Sequence, residues 1–429
     1  MDNIKQITAG DYTSVYSCVD YANVRICVRL DEKVDGDLLS EATQKTAERY
    51  PYFCVKLIRG EKEYYLEDNP LPVKTFNQNT SAALQTEETN YHVWAVCYYD
   101  DFIYFDVFHG LADGNHMFRM LSTLLYYYMS EKYGDAMAED ILTLEVPIAD
   151  EEPTDPIDEL ELPETLSMPE RQDPEHHPAF KCIEDGKAEA GEHVFYDIAI
   201  PEAEFVRFTS EYDSTPGNMI TLLAARAFDS LFPNSDKPPV GNYFINGRPM
   251  LGAKNTQHNC FAMARMEYDR TVKAMDFREQ CRFYREKTRF YASPEFVRNY
   301  MLSLAIRVNM LRQISSMDVR EQMIKGVMAS IKPFITYGVS YVGKWKYVSM
   351  EKHIKELWSH VVGRSEISIE MNAVSGNIFV SYQQGIKDEI YVKAFMEQLD
   401  SFNIPYKLVR KVTIDTGRGS LSQRQYLVR

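Results

Sequence analysis

Between Ala149 and about Glu175 the chain becomes dense in like charge: eleven acidic residues from Asp150 to Glu175 are interspersed with prolines. Such a segment disfavours a packed core and reads as a linker or surface-crossing stretch. It therefore divides the 429 residues into two parts, each large enough for its own core. The division expected is a first subdomain over 1–150, an acidic, Pro-rich linker over 151–190 and a second subdomain over 191–429.

Both parts mix strand and helix patterns. In the first, "VRICVRL" reads as a strand, and "DGDLLSEATQKTAERY" as a helix that Pro51 ends. "YFCVKLI" and "EYYLE" form a hairpin around Gly60 and Glu61. "YHVWAVCYYDDFIYFDVFHG" forms a second one, turning near Asp100 and Asp101 and rich in β-branched and aromatic residues. In the second part "HVFYDIAI" and "PVGNYFING" read as strands and "PGNMITLLAARAFDSLF" as a helix. One long helical stretch is expected from about Met275 to Ser330, then a hairpin turning at Ser375 and Gly376 and an amphipathic helix over "EIYVKAFMEQLDSFNI". The fold class expected is α/β with mixed sheets.

Charge and composition narrow the function. A net charge of −16 argues against a nucleic-acid footprint or an anionic membrane surface. No apolar run approaches the roughly 18 residues of a membrane span, and the start lacks a secretory pattern, so a cytoplasmic protein is expected. The seven cysteines are scattered without a C-x-x-C pair, which suits reduced core thiols better than a disulfide framework or zinc site. His176-His177 lies in the acidic segment and reads as solvated, and Tyr126-Tyr127-Tyr128 reads as helix packing.

The stretch "DVFHGLADGNHMFRML" places His109 at the end of the second hairpin, followed by Asp113 and Gly114. After Gly114, Met117, Met120, Leu121, Leu124, Leu125 and Tyr128 mark one helix face. Two readings stand. His109 is a hydrogen-bonded residue at a strand end, with Asp113 capping the helix and Gly114 relieving the turn. Alternatively, it is a general base, since an imidazole takes a proton near neutral pH.

With this context His109-Gly110-Leu111-Ala112-Asp113-Gly114 resembles the H-x-x-x-D-G hallmark of the superfamily that includes chloramphenicol acetyltransferase, alcohol acetyltransferases and the condensation domains of nonribosomal peptide synthetases. "INGRPML", "TQHNCFAMARM" and "VSYVGKW" are similar, in order, to later segments of that superfamily, and the bacterial alcohol-acetyltransferase-like group looks nearest. There are departures. Phe108 stands where many members have a first histidine, and the D-F-G-W-G segment of the plant branch is absent.

The resemblance implies two chloramphenicol-acetyltransferase-like subdomains with an active-site channel between them and His109 as general base. It implies an Asp113 that points away from substrate and pairs with an arginine, Arg248 first and Arg265 second. Gly114, Ser340 and Asn259 are candidates for oxyanion or substrate contacts, Asn259 being equally able to bridge two loops. The co-substrate implied is an acyl-CoA or acyl-carrier thioester, with no permanently bound cofactor and no metal. Its partner is a small alcohol or amine acceptor, with a carrier protein as a further candidate. The alternatives are a non-catalytic condensation-like binding module, or a condensation protein acting in trans on carrier-bound substrates.

Overall fold

The structure is a computed structural model that describes residues 4–18, 23–138, 140–164, 177–362 and 365–414. His176 lies outside them. Three sheets organise the chain. The first hairpin, Val55–Arg59 and Tyr64–Asp68, is joined by Ile4–Gln6 into a three-stranded sheet. The second, Trp94–Tyr99 and Phe102–Val107, belongs to a five-stranded sheet ordered Ile354–His360, Val24–Leu30, Phe102–Val107, Trp94–Tyr99, Thr75–Asn77. Phe102–Val107, which leads into His109, is thus the middle strand, held on both edges.

The third sheet has seven strands, ordered Phe261–Glu267, Val240–Asn246, Tyr337–Lys344, Ile367–Val374, Asn377–Ile386, Ala190–Pro201, Lys407–Ile414. Its two faces differ in chemistry because side chains alternate along a strand. Ile245, Val339, Ile369, Met371 and Tyr382 lie in a buried cluster with residues of the helices Pro216–Leu231 and Ile390–Ser401. The opposite face carries Asn242, Asn246, Ser340, Ser368, Glu370, Asn372 and Ser381, and it meets the helix Gly114–Tyr133 and the strand Ile354–His360. Asn246 donates to Asn115 at 3.4 Å and Asn372 to Ser359 at 3.1 Å. A polar inner wall results.

The strand Ile354–His360 comes from the second half of the sequence, yet it pairs antiparallel with Val24–Leu30 of the first sheet. Its local pattern does not distinguish it from a strand of its own half, so only the partner's register assigns it.

The helical stretch expected from about Met275 to Ser330 is divided into three helices: Phe277–Tyr291, Pro294–Arg312 and Met317–Ile331. Continuous apolar periodicity hides the breaks, but Ser293 and Ser316 cap the second and third, and Pro294 occupies a first-turn position. The Ser375–Gly376 turn has φ of 50° and 73°, the left-handed conformation of a tight hairpin.

The acidic segment departs most from expectation. Over 149–164 it packs against the body instead of crossing solvent. Glu152, Asp155 and Ile157 are buried. Glu152 accepts two hydrogen bonds from the Arg49 guanidinium, at 2.8 and 2.9 Å, with both side chains 1% exposed. Charge density alone could not reveal this, because the paired cation lies 103 residues away in a helix. Replacing Glu152 by Ala would strand Arg49 in the interior, so urea unfolding should show a loss of about 3–5 kcal/mol. The solvated Glu159→Ala control should stay within about 0.5 kcal/mol.

Candidate active site

His109 lies just past the middle strand of the five-stranded sheet, in a loop that turns between that strand and the helix Gly114–Tyr133. Phe108, beneath it, is 1% exposed, and its N–H donates to the Val93 carbonyl at 2.8 Å. A side chain at Gly110 would run into the Phe108 ring and crowd Val15 of the helix Ala9–Cys18, so the loop closes tightly only with glycine there. The His109 ring is half-buried, and its Nδ1 is 2.9 Å from the Ala112 carbonyl oxygen. A carbonyl can only accept, so Nδ1 carries the proton and the lone pair resides on Nε2. That is the tautomer a base requires.

Asp113 serves two structures at once. One carboxylate oxygen accepts from the His116 backbone N–H at 3.2 Å and caps the helix Gly114–Tyr133. The other meets Arg248 Nη1 at 2.6 Å and the Cys260 backbone N–H at 3.1 Å, both in the second half of the chain. Both side chains are under 10% exposed. Burial pushes the Asp113 carboxyl up, but the Arg248 charge and the three donors outweigh it, and its pKa lies below the ordinary carboxylate value. Arg248 is completed by the carbonyls of Thr256 and His258. Arg265 lies elsewhere, paired with Glu267 at 2.6 Å.

A second latch holds the same loop. The Asn259 amide donates to the Gly110 carbonyl at 3.1 Å and to Asp11 at 2.6 Å, so this buried residue bridges the motif loop, the helix Ala9–Cys18 and the 256–260 turn. Asp11 in turn meets His258 Nδ1 at 2.6 Å, and His258 Nε2 lies 3.0 Å from the Pro153 carbonyl. Burial alone would lower the His258 pKa, but the charge and hydrogen bond of Asp11 outweigh it and lift it to about 9. Asp11 and His258 were not singled out from the sequence. The only signal was the position of His258 beside Asn259 in "TQHNC".

Across from the loop stands the strand Tyr337–Lys344. A methyl group at Gly114 would approach Val342 Cγ2 to 2.8 Å, so glycine permits this close approach. Ser340 is half-buried two residues earlier and registers opposite Glu370. The structure therefore brings His109, Asp113, Gly114, Arg248 and Asn259 together around one loop, with Ser340 on the facing wall. His177 is exposed. Tyr127 and Tyr128 are buried, their hydroxyls accepting from the N–H groups of Leu144 and Asp35. Two surface cavities of about 520 and 570 Å³, one beside Phe232 and Arg270 and the other beside Leu160 and Arg298, are not lined by His109.

These sheets and the crossing strand make a mixed α/β fold that is shared with solved acetyltransferase and condensation-domain structures. Three solved structures are similar throughout. TRI101 of F. sporotrichioides, complexed with coenzyme A and T-2, superposes with a TM-score of 0.62 at 10% identity, over 95% of this chain and 100% of that one. The condensation domain of the Monacolin K polyketide synthase MokA gives 0.58 at 12% identity, over 93% and 97%. Polyketide synthase associated protein 5 from Mycobacterium tuberculosis gives 0.57 at 11% identity, over 92% and 96%. No protein-family model and no curated protein sequence matches the chain.

The His258 pair carries a pH dependence of definite sign. Its folded pKa, about 9, exceeds the unfolded value of about 6.5, so its stabilisation is complete below that value and is lost as pH rises through about 9. The difference in unfolding free energy between wild type and His258→Gln should be largest near pH 6 and shrink by pH 10. A constant difference in denaturant melts across that range would refute the charged pair.

Proposed function

We propose that the protein is an acyltransferase that moves an acyl group from a thioester, acyl-CoA or a carrier-bound equivalent, to an alcohol or amine, with His109 as general base. The observation that carries this is the His109 ring itself. It is half-buried at the junction of the two halves, in the tautomer that leaves Nε2 able to accept a proton. The fold shared with coenzyme A-complexed TRI101 and with condensation domains supports the thioester donor.

In this reading the acceptor's O–H or N–H approaches Nε2, and its heteroatom attacks the thioester carbonyl as the proton moves to His109. The tetrahedral intermediate carries an oxyanion. The backbone N–H groups of Gly114 and Asn115, at the start of the helix and ahead of the capped His116 N–H, are the donors proposed for it. Collapse breaks the carbon–sulfur bond, and the thiolate takes the proton back from His109. No acyl-enzyme forms and no permanent cofactor takes part. Asp113 and Arg248 touch no reacting atom in this scheme and act by positioning the loop. The proposed subdomains over 1–150 and 191–429 provide the two walls.

Among the described residues no helix is long and apolar enough to cross a membrane. A panel of acyl-CoA thioesters against mixed alcohols and amines, read by free-thiol release and product mass, tests the reading. On the productive pair, His109→Ala should reduce turnover by about 100-fold to 10,000-fold with an unchanged melting temperature. Wild-type turnover in that variant would remove the base and leave His109 as a packing residue.

A further inference from the structure

The acidic segment grips the turn that completes Arg248. Three consecutive carbonyls, those of Glu152, Pro153 and Thr154, meet three consecutive residues of that turn. The Gln257 N–H donates to Glu152 at 2.9 Å, His258 Nε2 to Pro153 at 3.0 Å and the Thr256 hydroxyl to Thr154 at 2.7 Å. The same hydroxyl accepts from the His258 N–H at 3.3 Å. On its other side the turn offers the Thr256 and His258 carbonyls to the Arg248 guanidinium, at 2.8 to 3.3 Å. The segment is itself anchored twice on the first half of the chain. Arg49 holds Glu152, and the N–H groups of Gly10 and Ala9 donate to Asp155 at 2.7 Å and to Asp158 at 3.2 Å. Gly10 marks the point where helix, segment and turn converge: a methyl there would come within 2.6 Å of the Asn259 carbonyl oxygen and 2.9 Å of the Asp155 carboxylate.

We infer that residues 152–154 form a strap that positions the base, holding the 256–258 turn where its carbonyls orient Arg248, which in turn fixes Asp113 and the His109 loop. This rests on the acyltransferase reading above. A guanidinium presents its N–H groups in one rigid plane, so the places of its acceptors set its orientation. The acceptors that Arg248 has in residues 256–258 lie in a stretch that belongs to no helix or strand. Without a ladder of its own, such a stretch takes its backbone position from outside partners, and the strap supplies three of them in a row. Thr256 and the strap touch no reacting atom and are positioning residues. Their leverage comes from the reaction's intolerance of misplacement, since a shift of about 1 Å at the reacting groups costs about 100-fold in rate.

The test uses two independent variants of the full chain with matched controls. Thr256→Val removes the hydroxyl that joins turn to strap, and Thr256→Ser keeps it. Gly10→Ala wedges a methyl between strap and turn, although alanine is the better helix former. On the productive acyl-CoA and acceptor, Thr256→Val and Gly10→Ala should lower kcat by about 10-fold or more with KM for both substrates within about 2-fold, and Thr256→Ser should retain wild-type kcat. Thr221→Val, the same substitution at a buried threonine of the helix Pro216–Leu231, should leave kcat unchanged even where it lowers the melting temperature. The second readout needs no turnover. In NMR spectra of histidine-labelled protein the His109 ring signal, assigned by its loss in His109→Ala, should shift in Thr256→Val and Gly10→Ala and stay in place in Thr256→Ser. Wild-type kcat or an unmoved His109 signal in both variants overturns the inference, as does a Thr256→Ser variant no better than Thr256→Val. If wild type turns over no thioester, the His109 signal decides alone: its movement retains the strap and rejects only the acyltransferase reading, and its constancy overturns the strap.

Discussion

The ion pair between Asp113 and Arg248 is the contact on which the site depends. One carboxylate ends the motif loop, starts the helix Gly114–Tyr133 and binds the opposite half of the chain through a guanidinium and a backbone N–H. In a buried setting such a pair adds little net stability relative to an apolar substitute, but it is intolerant of losing one member. Its value lies in geometry. In the loop between Phe108 and Gly114 the carboxylate meets all three of its donors while the His109 ring lies against the Ala112 carbonyl.

Around this pair the two halves are joined several times. The strand Ile354–His360 extends the first sheet, the Asn259 amide holds the Gly110 carbonyl, and the Arg119 guanidinium donates to the carbonyls of Lys254 and Asn255. These contacts fix the polar wall of the seven-stranded sheet opposite the motif loop. The site is therefore a property of the junction and not of either half.

Much of this was legible in the sequence where the signal is local. The two hairpins, the helix after Gly114 and the turn at Ser375 follow from periodicity and turn chemistry within about twenty residues. The motif could be found because His109, Asp113 and Gly114 are close in the chain. What escaped depends on distant partners. Glu152 and Asp155 carry the composition of a solvated linker, yet one finds Arg49 and the other the Gly10 backbone N–H at 2.7 Å. The Asp11–His258 pair spans 247 residues. Ile354–His360 reads as a strand in either half, and only tertiary packing assigns it to the first sheet. The helix breaks at Ser293 and Ser316 were legible in principle, since both serines precede helical turns, but the unbroken apolar period outweighed them.

The central claim is that a charge pair across the two halves positions the base. A double-mutant cycle with Asp113→Asn, Arg248→Met and the double variant, read by urea unfolding and by thiol release on the productive acyl-CoA and acceptor, tests it most directly. The account predicts strong coupling. Each single variant strands a buried group and loses about 3 kcal/mol or more, while the double variant is no worse than either single one in stability and in rate. Additive losses, or single variants that keep wild-type stability and turnover, would contradict it.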